Sequence, residues 1–277
     1  MGQPRDFREM YAVSTWHYFV DPLAEALDGI AAAGFRLVEF WADSAHLDPR
    51  VRPDRRALAA QLSRLRLQAH SIHAPFSGLE LGRPGGPSED AIRTIADALT
   101  LGMELGARLA VVHVSSHAED LADPARYAAS KRVVRDFIQE LDRVAMGLGV
   151  QLALENLPPH PHQRVWGRTL QELTAAFPEP RIGFCLDVGH AALNGASIPA
   201  EIETAGPRLR SLHVHNNDGV LDRHWPPTEG VISWPETKAA LARIGYTGAL
   251  VLEIDHGEDA HAVMRNLAAF AQRDVKL

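Results

Sequence analysis

The sequence contains one cysteine, Cys185, among 277 residues. A single thiol excludes an internal disulfide and any Cys-x-x-C motif, and it is compatible with a reducing compartment. No run approaches the roughly 18 uninterrupted apolar residues of a membrane span, so we expect no transmembrane helix. The opening residues, MGQPRDFREMYAVSTW, lack the apolar core of a signal peptide. These absences predict a cytoplasmic protein with no membrane partner.

Positive charge is scarce as well. The sequence has 28 lysines and arginines against 35 acidic residues, and its formal net charge is −7. Proteins that bind nucleic acid usually carry clustered cations that neutralise phosphates, so we do not expect a nucleic-acid partner. The arginine-rich stretch at 49–68 is interpreted as a solvated helix face. The alternative is a nucleic-acid contact made by its first half.

Eight short apolar runs, rich in β-branched residues, alternate with longer segments whose apolar residues recur every three or four positions. The runs predict strands at 11–16, 35–40, 67–73, 108–114, 150–155, 181–187, 209–215 and 248–255. Eight strand–helix units in a chain of this length are typical of a (β/α)8 barrel, so we predict a single α/β TIM-barrel domain over residues 1–277. The alternative, an open doubly wound sheet, would usually have a glycine-rich loop after its first strand. The sequence there is HYFVDPLAEAL.

Polar residues end most of the predicted strands. In a TIM barrel the carboxyl ends of the strands form the active-site face, so these side chains should meet at one mouth. A buried carboxylate or imidazole is costly unless it is paired or bound to metal. Mixed histidine and carboxylate ligands suit divalent ions such as zinc, manganese, cobalt or magnesium. The residues at the predicted strand ends are Trp16-His17, Glu39, His73, His113, Glu155, Asp187, His215 and Glu253.

Glu155 and Glu253 are the first candidates for catalysis. They end the fifth and eighth predicted strands, and strands three apart in an eight-stranded barrel end across the mouth from each other. Two facing carboxylates can share a metal and act as acid and base on opposite faces of a substrate. The alternative is that each carboxylate forms a structural ion pair with an arginine.

Histidines accompany the carboxylates on the following strands. Asp187 and His190 form an Asp-Val-Gly-His segment that would bring both side chains to one pocket, unless Asp187 only caps the next helix. His213 and His215 lie on the same face of a strand because side chains alternate. His215, nearer the end, is the better ligand candidate. His213 is expected deeper, as a barrel-interior residue or a partner of a ligand.

Four further residues could add metal ligands. Asp222 and His224 lie two residues apart in the loop after the seventh predicted strand, where an extended chain would point them the same way. A surface charge pair is equally compatible with that spacing. His73 and His113 end adjacent strands beside the cluster, although a single histidine at a strand end is more often a core residue.

Aromatic and cationic residues in the predicted mouth loops complete the candidate site. Tryptophan faces suit sugar rings, although a loop tryptophan can also cover the core; the candidates are Trp41, Trp166 and Trp225. An arginine can hold a phosphate or carboxylate through two hydrogen bonds; the candidates are Arg83, Arg164, Arg168 and Arg223. We assign substrate binding to Arg223 among them.

The ordered motifs resemble those of the xylose-isomerase-like barrel superfamily, which includes sugar isomerases and epimerases and the apurinic-site endonucleases of the endonuclease IV type. The resemblance covers nearly the whole chain, from Val13 to about Phe270, and it supports a TIM barrel. The matching segments are IHAPF, VVHVSS, LALENLP, FCLDVGHA, LHVHNNDGVLDRHWPPTEGVISW and LVLEID.

In the epimerase branch the resemblance implies one divalent metal held by four residues, namely Glu155, Asp187, His215 and Glu253. Glu155 and Glu253 would exchange the proton through a metal-stabilised enediolate. His190 would contact the substrate, and Glu39 and Trp16 would line its pocket. Asn217 stands where this branch often has a lysine, so a substrate contact by that lysine does not carry over.

In the endonuclease branch the resemblance implies three zinc ions. Its nine ligands would fall on His73, His113, Glu155, Asp187, His190, His215, Asp222, His224 and Glu253, and every position has the required residue type. Three features disagree with that branch, the first being the net charge of −7 with only three lysines. Asp-Val-Gly-His stands at 187–190 in place of Asp-Thr-Cys-His, and the loop after His73 lacks obvious residues for wedging into DNA.

The sequence therefore predicts a divalent-metal-dependent sugar or sugar-phosphate isomerase/epimerase of carbohydrate metabolism with a small carbohydrate substrate. The alternative is a multi-zinc phosphodiesterase or hydrolase of the endonuclease IV type. A lyase, dehydratase or binding use of the same mouth is a third interpretation. We expect one metal ion per chain, with two or three as the alternative. The sugar, its phosphorylation, the metal and the oligomeric state stay open.

Overall fold

In a computed structural model, eight parallel strands close into a barrel in chain order, and each strand pairs with the next. The structure describes residues 6–43, 46–79, 81, 87–114, 123–160 and 166–274. The strands are β1 (Tyr11–Ser14), β2 (Leu37–Trp41), β3 (Gln68–His73), β4 (Leu109–His113), β5 (Gln151–Glu155), β6 (Gly183–Asp187), β7 (Leu209–Val214) and β8 (Leu250–Leu252).

Helices connect the strands around the outside of the barrel. They are α1 (Phe7–Met10), α2 (Leu23–Ala32), α3 (Arg55–Leu65), α4 (Glu89–Glu104), α5 (Pro124–Leu148), α6 (Leu170–Ala176), α7 (Val188–Leu193), α8 (Ile198–Ala205), α9 (Trp234–Arg243) and α10 (Ala260–Asp274). Short 3₁₀ turns span Thr15–Tyr18, Pro49–Val51 and Gly206–Arg208. Among the described residues, none of these helices has the length and apolar character needed to cross a membrane.

This arrangement confirms the predicted TIM barrel, and each predicted strand overlaps an observed one. The first and last predicted strands extend too far at their carboxyl ends. After Ser14 the chain turns into a 3₁₀ helix, because the Ser14 hydroxyl accepts a hydrogen bond from the Trp16 N–H at 3.3 Å. After Leu252 the backbone leaves the β-ladder, and the Asp255 N–H donates to the His224 carbonyl at 2.9 Å.

Local signals in the sequence set the helix ends. Asp54 caps α3 by accepting hydrogen bonds from the N–H groups of Arg56 and Ala57, and Ser88 caps α4 in the same way through the Ala91 N–H. At the other end of α5, Gly149 adopts a φ of 67° and its N–H donates to carbonyls of the last turn. Glycine reaches this left-handed conformation without the cost that a Cβ would add.

The buried core forms one large cluster and two small ones, and their positions place the site. Most apolar side chains pack between the strands and the surrounding helices. Inside the barrel, Leu109, Val111, Ala153 and Cys185 form a separate buried cluster. Burial raises the pKa of the Cys185 thiol to about 12, so this cysteine is an inert interior residue. These apolar side chains fill the barrel below the mouth, which leaves the strand ends for polar groups.

The amino end of the barrel is fastened by a buried carboxylate. Asp274, at the end of α10, is 4% exposed. It accepts hydrogen bonds from the Tyr11 hydroxyl at 2.7 Å, from Trp234 Nε1 at 3.1 Å and from Lys238 Nζ at 2.9 Å. One side chain thus joins β1, α9 and α10 near the point where β8 pairs with β1.

We predict that Asp274→Ala lowers the free energy of unfolding by about 3–5 kcal/mol, because it leaves the buried Tyr11 and Trp234 donors unpaired and removes the carboxylate partner of Lys238. The control is Glu203→Gln, which removes an exposed ion pair with Arg243 and should cost at most about 1 kcal/mol. Urea denaturation followed by circular dichroism measures both. Equal losses for the two variants would contradict the role given to Asp274.

Candidate metal centre and active site

Carboxylates and imidazoles gather where the strands end. His73, His113, Glu155 and Asp187 are the last residues of β3, β4, β5 and β6, while His215 and Glu253 lie just beyond β7 and β8. Parallel strands direct these ends to one face of the barrel. The predicted convergence of polar side chains at one mouth is therefore present.

A cavity of about 220 Å³ opens at this mouth. Its wall combines carboxylates and imidazoles with aromatic rings, and among the described residues that line it there is no lysine or arginine. The lining residues are Trp16, Trp41, His73, Phe76, His113, Glu155, Pro158, His190, Asp222, His224 and Glu253. The cavity is thus smaller than the ~300–1,000 Å³ of sites for drug-sized ligands.

The polar side chains form three groups, and within each group the possible ligand atoms lie within 4.8 Å of one another. The groups are His73, His113 and Glu155; Glu155, Asp187, His213 and Glu253; and His190, His215, Asp222 and His224. Glu155 belongs to the first and second groups. His215 Nε2, 2.9 Å from Asp187 Oδ1, links the second group to the third. The three groups are therefore one connected cluster.

In the first group two imidazoles contact one carboxylate oxygen. His73 Nε2 lies 3.0 Å and His113 Nε2 lies 3.2 Å from Glu155 Oε2. Burial alone would raise the pKa of Glu155, but the charges and hydrogen bonds of His213 and His113 lower it well below its usual value. Phe76 stacks on the His113 ring with centroids 4.1 Å apart, which fixes that ring. Glu155 is therefore held ionised.

The second group holds the two carboxylates proposed for catalysis. His213 Nδ1 lies 3.3 Å from Glu155 Oε1 and 3.3 Å from Glu253 Oε2. Burial opposes ionisation of Glu253, but the neighbouring His213 outweighs it and lowers the Glu253 pKa. The same contacts raise the His213 pKa well above its usual value, although burial works against the charge. His213 therefore offsets part of the negative charge of Glu155 and Glu253.

In the third group Asp222 lies between two imidazoles. Its Oδ2 is 3.1 Å from His190 Nε2 and 3.3 Å from His224 Nε2. Burial alone would lower both histidine pKa values, but Asp187 and Asp222 raise that of His190 to about 10, and Asp222 raises that of His224 to about 9. His190 and His224 are therefore charged at neutral pH in the absence of a metal.

The loop between β7 and α9 brings Asp222 and His224 back to the mouth. Asn216 and Trp225 pair across it, each N–H donating to the other's carbonyl at 2.8 Å. His224 itself adopts a φ of 49°, a conformation that favours glycine and that marks backbone strain at a functional position. The pairing closes the loop, and the strained residue directs its ring into the cluster.

The donor set fits divalent metal. In His73, His190 and His224 the Nδ1 atom contacts a backbone carbonyl oxygen, at 3.0, 2.9 and 2.8 Å respectively, and Nε2 faces a carboxylate of the cluster. A metal-ligating histidine typically donates its other ring N–H in this way. The Nδ1 atom of His215 is buried and has no hydrogen-bond partner among the residues that the structure describes. Buried imidazoles and carboxylates with oriented rings are the ligands that divalent transition metals take.

Two residues that shape the cluster were missed by the sequence reasoning. Asn156 donates to the Asp187 carbonyl at 3.0 Å and accepts from the Asp187 N–H at 2.8 Å, which locks β5 to β6 at the ligands. Gly189 packs against the His215 ring, where an added Cβ would lie 1.9 Å from Cε1. A polar residue directly after Glu155 and a glycine beside His190 were the available signals. The glycine also gives a physical reason for the Asp-Val-Gly-His sequence.

Of the residues predicted to bind substrate, some line the cavity and others do not. Trp16 lines the cavity and packs on His224, with ring centroids 4.5 Å apart. Glu39, predicted to line the substrate pocket, is fully buried and accepts a hydrogen bond from Ser71, so it does not reach the cavity. Arg223, assigned to substrate binding, pairs with Asp218 at 2.9 Å and does not line the cavity either.

Three more of the predicted loop candidates lie away from the mouth or outside the described chain. Trp166 is buried and stacks on Phe177, so it covers the core and is not part of the mouth. Arg83 and Arg164 lie outside the described residues.

Comparison with known proteins agrees with this architecture. The family described as "Xylose isomerase-like TIM barrel" matches residues 27–273. Fructoselysine 3-epimerase of Escherichia coli O157:H7 is 23% identical over 243 residues, covering 84% of this chain and 86% of that protein.

Solved structures share the fold over almost the whole chain. The structure of a D-tagatose 3-epimerase-like protein superposes with a TM-score of 0.80 at 22% identity, covering 96% of this chain and 98% of that one. The AP endonuclease, family 2, of Brucella melitensis superposes with a TM-score of 0.76 at 20% identity, covering 95% and 99%. At these identities the likeness shows the fold alone.

We predict that Gly189→Ala lowers zinc affinity at least about tenfold, because the new methyl group displaces His215 from its position. The control is Gly147→Ala in α5, where an added Cβ meets nothing within 4 Å and alanine favours the helix. Equilibrium dialysis against zinc measures both variants. Unchanged zinc affinity in Gly189→Ala would contradict a ligand role for His215.

Proposed function

We propose that this chain, which belongs to the xylose isomerase-like TIM barrel family, is a metal-dependent sugar isomerase or epimerase. The observation that carries the proposal is the pair Glu155 and Glu253. Both line the same cavity, and their donor oxygens lie within 4.8 Å of each other in one group. Two carboxylates that approach one small cavity from β5 and from the end of β8 can act on a substrate held between them.

Each carboxylate has a defined part in the proposed reaction. One removes the proton from the carbon next to the substrate carbonyl, and the other returns a proton to the opposite face. Both pKa values are lowered by the imidazoles around them, so both groups begin ionised and either can serve as the base. A reversible epimerisation needs this equivalence, because the direction depends on which epimer is bound. The group that returns a proton must first take one up from solvent in the cavity.

The metal would be held by Glu155, Asp187, His215 and Glu253, the set implied by the family resemblance. Bound there, a divalent ion stabilises negative charge that develops on a substrate oxygen. Asp187 is oriented for this by Asn156 and by His215 Nε2, which lies 2.9 Å from its Oδ1. Because Glu155 is also contacted by His73 and His113, its orientation does not depend on the ion.

The cavity supports a small carbohydrate as the substrate. Trp16, Trp41 and Phe76 offer apolar faces on its wall, and aromatic faces suit the apolar side of a sugar. The related proteins named as fructoselysine 3-epimerase and D-tagatose 3-epimerase-like support a ketose. The carboxylates and imidazoles of the cavity wall would orient the hydroxyl groups of the sugar.

We expect Glu253→Gln to reduce proton exchange by about 10²–10⁴-fold, the usual contribution of a general acid–base group, while at least some metal stays bound. The measurement is the incorporation of deuterium from D₂O into ketoses, followed by mass spectrometry. Glu229→Gln, an exposed carboxylate in the β7–α9 loop, serves as the matched control and should exchange like the wild type. Absence of exchange by the wild type across a broad ketose panel would refute the proposal.

One observation favours a second function, a multi-metal phosphoester hydrolase. Asp222 lies between His190 and His224, and both rings have Nδ1 held by backbone carbonyls and Nε2 directed at the carboxylate. A one-metal epimerase with the ligands proposed above has no need of Asp222 and His224 as metal ligands. Clustered metals stabilise the attacking and leaving oxygens of a phosphoester in hydrolysis. The cavity is small and no lysine or arginine lines it within the described part of the chain, which makes this function second to the epimerase.

The second function predicts a joint effect of two substitutions. Asp222→Ala and His224→Ala should each lower the number of zinc ions per chain, measured by elemental mass spectrometry, and should lower cleavage of a model phosphodiester in parallel. If both variants keep the zinc content of the wild type, Asp222 and His224 are not ligands and the hydrolase interpretation fails.

A further inference from the structure

A line of buried polar contacts runs across the inside of the barrel beneath the cavity. It joins Ser71 on β3, Glu39 on β2 and His213 on β7, and all three residues are completely buried. The Ser71 hydroxyl donates to Glu39 Oε2 at 2.7 Å. Glu39 Oε1 lies 3.0 Å from His213 Nε2, an ion-pair distance at which the two atoms are not aligned for a hydrogen bond.

The other ring nitrogen of His213 faces the proposed proton-exchanging pair. His213 Nδ1 is 3.3 Å from Glu155 and 3.3 Å from Glu253. A single imidazole nitrogen therefore touches both carboxylates from below. The opposite side of these carboxylates faces the cavity, so His213 can set their spacing without occupying space that a substrate would need.

Burial of the Glu39 carboxylate at this position costs free energy. A carboxylate inside a barrel loses its hydration, and a partner must offset that loss. Among the described residues, His213 is the charged partner within ion-pair distance of Glu39, and no lysine or arginine shares that role. An apolar pair would fill the same interior at lower cost, which indicates that Glu39 serves the His213 ring.

We propose that His213 is a positioning residue that fixes the separation and orientation of Glu155 and Glu253, and that Glu39, held by Ser71, fixes the orientation of the His213 ring. The role of the two carboxylates in proton exchange rests on the proposed function. The positioning itself rests on the contacts of His213 and applies to any metal that Glu155 and Glu253 hold.

Two substitutions test the roles of the two ring nitrogens of His213 separately. In His213→Asn the side-chain amide takes the place of Nδ1, so it can still donate to Glu155 or Glu253 but does not reach Glu39. In His213→Gln the amide takes the place of Nε2, so it can reach Glu39 but leaves the two carboxylates without their common contact. The two variants are both uncharged amides, which makes them a matched pair.

The test measures zinc affinity by competition with a chromophoric chelator, together with kcat and KM for ketose epimerisation. We expect His213→Gln to lower zinc affinity and kcat by about 10–100-fold each, the usual effect of a residue that orients metal ligands, with a smaller change in KM. His213→Asn should recover most of both losses. Glu39→Gln should lower both in the wild-type background but add nothing in the His213→Gln background, because Glu39 acts through His213.

Tyr11→Phe is the control for removing a buried hydrogen bond far from the cavity. It removes the hydrogen bond to Asp274 at the other end of the barrel, so it should lower the urea midpoint and leave zinc affinity unchanged. Affinities and rates are compared per folded chain. This comparison removes any part of the effect that comes from a smaller folded fraction.

The proposal is overturned if His213→Gln binds zinc as tightly as the wild type, or if His213→Asn and His213→Gln are equally impaired. The zinc measurement keeps the two proposals distinct. If the wild type epimerises no ketose, the proposed function fails, and the ordering of zinc affinities still decides whether His213 positions Glu155 and Glu253.

Discussion

The organisation of this protein depends on the cost of placing many ionisable groups in one buried space. Four carboxylates and several imidazoles meet at the mouth of the barrel, and most of them have little or no exposure to solvent. Such groups are stable only when each charge has a partner. The spacing of the imidazoles between the carboxylates meets this condition, and it also produces the ligand geometry of a metal centre.

The barrel fold brings these groups together with only a few polar residues at the strand ends. Alternation along each strand sends every second side chain inward, and the parallel order places all the carboxyl ends on one face. Apolar side chains such as Val111 and Cys185 fill the lower interior, so a few polar residues at the ends are enough to build a site. The packed apolar side chains stabilise the barrel, and the hydrogen bonds of Asp274 hold together its opposite end.

The sequence predicted the barrel and the residues that would meet at its mouth, because strand ends and side-chain alternation are local properties. It could not predict how deep inside the barrel each of these side chains lies. Glu39 was expected at the pocket wall, yet it lies beneath the cavity against His213, since the register of β2 decides how far up the barrel a side chain sits. The contribution of Gly189 was hidden for a similar reason, because it depends on a ring brought in from β7.

The charged state of His190 and His224 has a thermodynamic consequence. In the metal-free protein these imidazoles carry protons at neutral pH, with pKa values of about 10 and about 9, and they replace the positive charge that a metal would bring to Asp222 and Asp187. An incoming cation that takes these rings as ligands must displace their protons. A metal held by these rings would therefore compete with protons. Below these pKa values acidification would favour release of the ion, and the protonated imidazoles would then be the partners of Asp222.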